Sequence, residues 1–126
     1  MFLQKIQSRF LYVLVDEYQD TNTKQREIVE LIVGKRNTVT VVGDDSQSIY
    51  GFRGANYENI LRFPESFPQC VSVKIEENYR STQEILNFTN QVIDKNQLVF
   101  RKHLRSSQHK HKPTVHQTID QIQEAH

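Results

Sequence analysis

Two short apolar runs, each ending abruptly in acidic residues, constrain this chain most. Residues 12–15 read YVLV and residues 38–42 read TVTVV. The first run has no polar alternation, which is typical of a strand covered on both faces, as in parallel sheets. Asp16 and Glu17 follow it directly, and Gly43, Asp44 and Asp45 follow the second run.

A helix is predicted between the two runs. Asn22 with Gln25 resembles a capping box, and Gly34 is placed to end the helix. Apolar residues recur on one helical face between them: Ile28, Leu31 and Ile32. The pattern is a strand, helix, strand unit, and both polar clusters lie at the carboxyl ends of the strands. Open parallel sheets bind ligands at that edge.

Later elements are predicted from the same signals. Val71, Val73 and Ile75 alternate with polar residues, which predicts a strand with one face inward. Ser81 with Glu84 forms a second capping-box pattern before a helix whose apolar positions are Ile85, Leu86, Thr89, Val92 and Ile93. Residues 113–119 are a candidate for one more short strand.

Composition excludes some classes of protein. No apolar run approaches the ~18 residues that span a bilayer, and no signal-peptide pattern opens the chain, so a cytoplasmic protein without membrane contact is expected. Cys70 is the single cysteine, which excludes an intramolecular disulfide and predicts a buried or half-buried side chain.

The last 26 residues differ from the rest of the chain. Residues 101–126 carry an excess of basic side chains and all 5 histidines of the sequence. Such a segment either contacts phosphate backbones or is a solvated linker. Metal binding by His109 and His111 is a weaker alternative, since no partner pair at helical spacing accompanies them.

The acidic pair suggests chemistry. At a strand end, one carboxylate can hold a hydrated Mg²⁺ and the next can polarise an attacking water, as nucleotide hydrolysis requires. The other interpretation is a solvated strand end that caps the following helix. The polar residues 43–47 favour the first, because they are expected to face the same crevice.

Three runs then resemble ordered signatures of the UvrD/Rep-type superfamily 1 DNA helicases: VDEYQDTN at 15–22, VGDDSQSIYGFRGA at 42–55 and NYRST at 78–82. They resemble motif II (Walker B), motif III and motif IV of that family, in the family's order. The resemblance covers residues 11–94.

The resemblance implies roles for the matching residues. Asp16 would hold Mg²⁺ through water, Glu17 would be the general base, and Gln47 would sense the γ-phosphate of ATP. Tyr79 would stack on adenine, and Arg80 would be an arginine finger that reaches the γ-phosphate. Three residues would face single-stranded DNA: Tyr50, Phe52 and Arg53. Core packing is the alternative for the aromatic rings.

The sequence also departs from the family pattern. Phe52 stands where relatives often carry Trp, and no Gly-x-x-x-x-Gly-Lys-Ser/Thr run occurs; Gly34-Lys35 is followed by Arg36. The chain is therefore interpreted as an internal piece of a longer helicase, inactive alone. Its apolar strands would lack neighbouring elements, so self-association or aggregation is expected.

The implied fold class is α/β. It is a partial RecA-like (P-loop NTPase) parallel sheet with flanking helices, running into the start of a second RecA-like domain. Residues 1–75 would be the later part of the first domain and 76–126 the beginning of the second. The implied ligands and partners are ATP, Mg²⁺, single-stranded DNA and the remainder of the helicase chain.

Two other functions stay open. One is a non-hydrolysing module that binds single-stranded DNA or a partner protein. The other is a two-metal nuclease that would use five carboxylates: Asp16, Glu17, Asp20, Asp44 and Asp45. The nuclease leaves Gln47, Tyr79 and Arg80 without a role.

Overall fold

The computed structural model describes residues 2–95, 100–110 and 113–114. These residues divide into two units, one formed by residues 2–73 with Phe100 and the other by residues 74–95 with the later described residues. Among the helices of these ranges, none has the length and apolar character needed to cross a bilayer.

The first unit contains short helices and two strands. In chain order they are α1 (Phe2–Arg9), β1 (Val13–Val15), α2 (Thr23–Val33), β2 (Val39–Val41), α3 (Glu58–Leu61) and α4 (Phe63–Ser66). Single turns of 3₁₀ helix lie at Tyr18–Asp20, Gly34–Arg36, Asp45–Gln47 and Gly51–Arg53. The second unit contains α5 (Gln83–Ile93).

The two strands pair in parallel. Val13 lies opposite Val39, and Val15 lies opposite Val41. The pairing continues beyond the strands, because Val42 donates its backbone N–H to the carbonyl oxygen of Val15 at 2.8 Å. The predicted strand, helix, strand unit is confirmed, and the fold of this unit is α/β.

The caps of α2 are those expected from the sequence. Asn22 Oδ1 accepts the backbone N–H of Gln25, and Gln25 Oε1 accepts that of Asn22, both at 2.9 Å. Gly34 follows the last turn with φ +57°, a conformation that favours glycine. Its N–H donates to the carbonyl oxygen of Glu30. Local sequence therefore sets both ends of this helix.

An aromatic cluster forms the core of the first unit. Tyr18 is 1% exposed and meets the edge of Phe63 with ring centroids 5.6 Å apart. Phe67 stacks on Phe63 at 4.7 Å, and Ile60 joins the same cluster. Burial raises the pKa of the Tyr18 phenol. Cys70 is half-buried against this core, as expected.

The strand predicted over residues 71–75 is wrong. The segment has no regular secondary structure, and its apolar side chains are exposed, with Val71 86%, Val73 80% and Ile75 78% accessible. A strand needs a neighbour to accept and donate its backbone hydrogen bonds. In the described part of the chain no strand pairs with this segment. The alternating residues therefore do not form a strand.

The capping box predicted at Ser81 is also wrong. Helix α5 begins at Gln83 with Thr82 as its N-cap. Asn78 Oδ1 instead accepts the backbone N–H groups of Arg80 (2.9 Å) and Ser81 (2.7 Å), which turns the chain one residue later than expected. The Glu84 carboxylate accepts hydrogen bonds from residues 109 and 110.

The described part of the basic segment is bound to α5. Asn90 Nδ2 donates to the carbonyl oxygen of Leu104 (2.8 Å), and Gln83 Oε1 accepts the N–H of Ser106 (2.8 Å). Ser106 is buried. The solvated-linker interpretation is therefore wrong for residues 104–106. The strand predicted over 113–119 lies, beyond residue 114, outside the described residues.

Candidate functional site

The carboxyl end of β1 presents two exposed carboxylates. Asp16 Oδ1 accepts the backbone N–H of Glu17 at 2.9 Å. Glu17 has φ +48° and ψ +44°, the left-handed region, where it leads the chain from the strand into the turn at 18–20. A non-glycine residue in that region costs about 1–3 kcal/mol, and such strain concentrates at functional sites. Asp16 and Glu17 thus lie where the backbone turns sharply, and we call these two residues the acidic corner.

A buried amide lies behind this corner. Gln19 is 1% exposed, and its Nε2 donates to Glu17 Oε2 at 2.8 Å. Its Oε1 accepts the backbone N–H of Asp44 at 3.0 Å. Gln19 therefore joins the carboxyl ends of β1 and β2, which confirms that the two polar clusters share one edge.

The cluster after β2 folds into a tight turn. Asp44 Oδ1 accepts the backbone N–H of Ser46, and its Oδ2 accepts Gln47 Nε2, both at 2.9 Å. Gln47 is exposed. Asp45 is buried, and its Oδ2 accepts the N–H of Phe100 at 3.1 Å. Gln47 thus faces solvent in the turn after β2. Asp45 instead links this turn to the backbone of Phe100.

The next turn presents an exposed group of aromatic and basic side chains. Phe52 is 79% exposed and Tyr50 40%. The Arg53 guanidinium carbon lies 5.6 Å from the centroid of the Tyr50 ring and 5.3 Å from that of Phe52. The two rings are 6.2 Å apart and tilted by 44°. Core packing is therefore wrong for Phe52, whose ring faces solvent.

Tyr79 and Arg80 belong to the second unit. Both are exposed, and Tyr79 is held through its backbone, since its carbonyl oxygen accepts Gln108 Nε2 at 3.0 Å. The side chain of Asn78 fixes the backbone N–H of Arg80. The backbone here is anchored while both side chains face solvent.

The two-metal nuclease does not fit this geometry. Within residues 2–95, 100–110 and 113–114, no three His, Cys, Asp or Glu side chains are placed to hold a metal ion together. Asp45 points to Phe100 and Gln19 separates Asp44 from Glu17. His109 contacts Glu84 at 3.0 Å and is part of no metal-binding group in these ranges.

Comparison with known proteins identifies the family. Residues 1–68 match the UvrD/REP helicase N-terminal domain. The chain belongs to the UvrD/REP helicase family.

Several relatives in this family are named helicases. The chain is 50% identical over 103 residues to the ATP-dependent DNA helicase Rep of Salmonella typhimurium, an alignment covering 82% of this chain and 15% of Rep. It is 50% identical over 94 residues to the ATP-dependent DNA helicase PcrA of Staphylococcus epidermidis, covering 75% and 13%. DNA helicase II of Haemophilus influenzae is 41% identical over 126 residues, covering 99% and 17%. The chain thus spans 13–17% of the length of these UvrD/REP relatives.

Gln19 of this UvrD/REP chain carries no functional signal in the sequence. It was one polar residue among several after β1, and its partner Asp44 lies 25 positions away. One signal was available. A Cβ on Gly43 would lie 2.4 Å from Gln19 Oε1, so the glycine after β2 marks a close approach.

Proposed function

We propose that this chain is part of an ATP-dependent single-stranded-DNA translocase that couples ATP hydrolysis to DNA unwinding. Membership of the UvrD/REP family supports the class, and Rep and PcrA are named ATP-dependent DNA helicases. The observation that carries the proposal is the shared edge of β1 and β2. It holds exposed Asp16 and Glu17 next to the turn of Gln47.

Hydrolysis is assigned to the acidic corner. Glu17 is the general base, because it is exposed and its carboxylate is oriented by Gln19 at 2.8 Å. Asp16 fits a magnesium ion held through water, since it is exposed and uses only Oδ1 for the N–H of Glu17. When bound, Mg²⁺ neutralises phosphate charge.

Three further side chains contact the nucleotide. Gln47 reports the γ-phosphate from the turn after β2, where Asp44 fixes its amide at 2.9 Å. In the second unit, Arg80 is assigned to the γ-phosphate as an arginine finger with a planar, permanently charged fork, and Tyr79 is assigned to stack on adenine. The exposure of Tyr79 and Arg80 supports these roles, because the tyrosine ring and the guanidinium must be accessible to bind a ligand.

The DNA contact is assigned to Tyr50, Phe52 and Arg53. Aromatic rings stack on bases of any sequence, and a guanidinium meets the phosphate backbone. The Phe52 ring is 79% exposed, and the Arg53 guanidinium lies 5.3 Å from its centroid. An accessible ring beside a cation is suited to contact single-stranded DNA. This turn follows Gln47 within six residues, so a movement at the nucleotide edge is transmitted to the DNA over a short path.

The organisation of the parent protein follows from these assignments. Residues 1–75 supply the later part of a first RecA-like domain, and residues 76–126 begin the second. The parallel pair of β1 and β2 supports the first assignment. The isolated 126 residues are expected not to hydrolyse ATP, because they contain no phosphate-cradling Gly-x-x-x-x-Gly-Lys-Ser/Thr loop.

The test is ATP hydrolysis by the full-length protein that carries this sequence, stimulated by single-stranded DNA. Glu17→Gln is expected to lower turnover by about 10²–10⁴-fold with ATP binding retained. Glu27→Gln is the matched control, because Glu27 contacts Lys24 on the surface of α2. Full turnover in Glu17→Gln would remove Glu17 as the base.

A second candidate function rests on the exposed group at Tyr50, Phe52 and Arg53. A module that binds single-stranded DNA without hydrolysis needs only this surface. It would bind the same DNA with an affinity that does not respond to ATP, which separates it from the motor.

A further inference from the structure

Gln19 is a fully buried polar side chain whose amide hydrogen-bonds to residues that follow β1 and to one that follows β2. Its Nε2 donates to Glu17 Oε2 at 2.8 Å and to Asp20 Oδ2 at 3.3 Å. Its Oε1 accepts the backbone N–H of Asp44 at 3.0 Å. At 1% exposure no bulk water replaces these partners. Removing one partner from such a network is costly in free energy, because each buried group left unpaired keeps its full desolvation penalty.

The partners fix the orientation of this amide. Reversing its oxygen and nitrogen would place the oxygen against two carboxylates and the NH₂ group against an N–H donor, so neither side could hydrogen-bond. Glutamine is the side chain of this length that donates at one side and accepts at the other. Ionised glutamate cannot donate, and lysine cannot accept. The site therefore specifies an amide.

The hydrogen bonds form a continuous path. From Glu17 Oε2 the path passes through the Gln19 amide to the backbone of Asp44, and from Asp44 Oδ2 to Gln47 Nε2 at 2.9 Å. Ser48 adds a bond at the other end of Gln19, where its hydroxyl donates to the Gln19 carbonyl oxygen at 3.3 Å. The path joins the acidic corner after β1 to the turn after β2.

We propose that Gln19 is a positioning residue that holds the Glu17 carboxylate in its hydrolytic orientation and couples it to the turn carrying Gln47. The inference rests on the proposed function, since it takes Glu17 as the base. Gln19 touches no substrate in this role. It acts through Glu17 on one side and through Asp44 and Gln47 on the other.

The first test compares three variants of the full-length protein. Gln19→Met roughly keeps the volume and removes all three hydrogen bonds of the amide. We expect kcat for DNA-stimulated ATP hydrolysis to fall about 10- to 100-fold, the loss typical when a partner that orients a metal ligand is removed, with the Kd for ATP unchanged. Ser48→Ala is the matched control, because it removes only the bond to the Gln19 backbone and leaves the amide in place.

Glu17→Gln separates the two claims. If it abolishes turnover while Gln19→Met leaves kcat unchanged, the positioning role is overturned and the proposed function stands. If Glu17→Gln retains full turnover, Glu17 is not the base, and the positioning role fails with that assignment. If Gln19→Met lowers the affinity for ATP as much as kcat, Gln19 only supports the fold, and the inference is overturned.

A second variant decides the question if Gln19→Met does not fold. Gln19→Glu has the same shape, and its protonated form again donates at one oxygen and accepts at the other. The charged groups that would face it are Glu17 and Asp20 on its own turn, and after β2 it would meet the backbone N–H of Asp44. Burial beside carboxylates favours the protonated form, so kcat relative to wild type should be higher at about pH 6 than at about pH 8. A ratio that does not change with pH contradicts the proposal.

Discussion

Gly43 lies directly against Gln19. A Cβ at position 43 would stand 2.4 Å from Gln19 Oε1, 2.8 Å from Ile60 Cδ1 and 3.1 Å from the backbone nitrogen of Tyr18. These contacts come from the turn after β1 and from α3, and all three residues are buried. The close approach of β1 and β2 at their carboxyl ends therefore depends on the missing side chain of one residue.

Gly43→Ala is expected to destabilise the protein. The added methyl group would stand closer than van der Waals contact to the buried side chains of Gln19 and Ile60, so it overpacks the site at about 1–3 kcal/mol of unfolding free energy. Gly51→Ala is the matched control, because a Cβ at Gly51 meets nothing within 4 Å. Urea denaturation of both variants measures the difference. Equal stabilities for the two would contradict the close approach.

Asn90→Ala is expected to loosen residues 101–110 from α5. Asn90 is 6% exposed; it donates to the carbonyl oxygen of Leu104 at 2.8 Å and accepts the Leu104 N–H at 3.2 Å. Losing both bonds leaves the N–H and C=O of half-buried Leu104 without the Asn90 side chain, and a polar group left unpaired away from water costs about 1–3 kcal/mol.

Amide hydrogen exchange at Leu104 checks this expectation. Exchange should accelerate in Asn90→Ala and stay unchanged in Gln91→Ala, whose side chain lies on the exposed face of the same helix. Equal protection of Leu104 in both variants would show that the Asn90 amide does not hold this segment.

Glu84 makes the stability of the second unit depend on pH. Its own backbone N–H, the N–H of Lys110 and the His109 ring lower the pKa of its carboxyl from 4.5 to about 2. Because the pKa is lower in the folded state, the stabilisation is complete above pH 4.5 and is lost as the pH falls towards about 2.

The comparison is between wild type and Glu84→Gln. The wild-type protein should melt at the higher temperature at neutral pH, and the gap should close between pH 4.5 and about 2. Glu65→Gln, an exposed carboxylate on α4, serves as control. A gap that is constant over this range would rule out the Glu84 carboxylate as its source.

Phe52→Ala is expected to weaken binding of single-stranded DNA without unfolding the protein, because the ring is 79% exposed. Stacking of one base contributes about 1–3 kcal/mol, or about 5- to 150-fold in affinity. Fluorescence anisotropy of a labelled thymidine oligonucleotide with the full-length protein measures the change.

Phe2→Ala is the control. It removes an equally exposed ring, at 80%, on α1 and should bind DNA as the wild type does. Matching losses in the two variants would mean that the Phe52 ring has no specific place on the DNA.

The sequence predicted those parts of the fold that local signals encode. The apolar runs at β1 and β2, the capping box of Asn22 with Gln25 and the terminal Gly34 each act within one element. The acidic corner was also expected, since residues that directly follow parallel strands must lie at one sheet edge.

The parts that sequence analysis missed depend on distant partners. Residues 71–75 carry a strand pattern, but a strand exists only where a neighbour completes its hydrogen bonds. Ser81 lost its capping role to Asn78, whose side chain takes the Ser81 N–H. Gln19 owes its importance to Asp44 and to the space above Gly43, which no periodicity along the chain reveals.

The coupling of nucleotide to DNA is the central claim, and one measurement tests it most directly. It is the affinity of the full-length protein for single-stranded DNA, with and without a non-hydrolysable ATP analogue. We expect the analogue to change this affinity by about 5- to 150-fold, the range of ordinary coupling between two sites, and Gln47→Leu to abolish the change. An affinity that is the same with and without the analogue would contradict the motor and leave a DNA-binding module that does not respond to ATP.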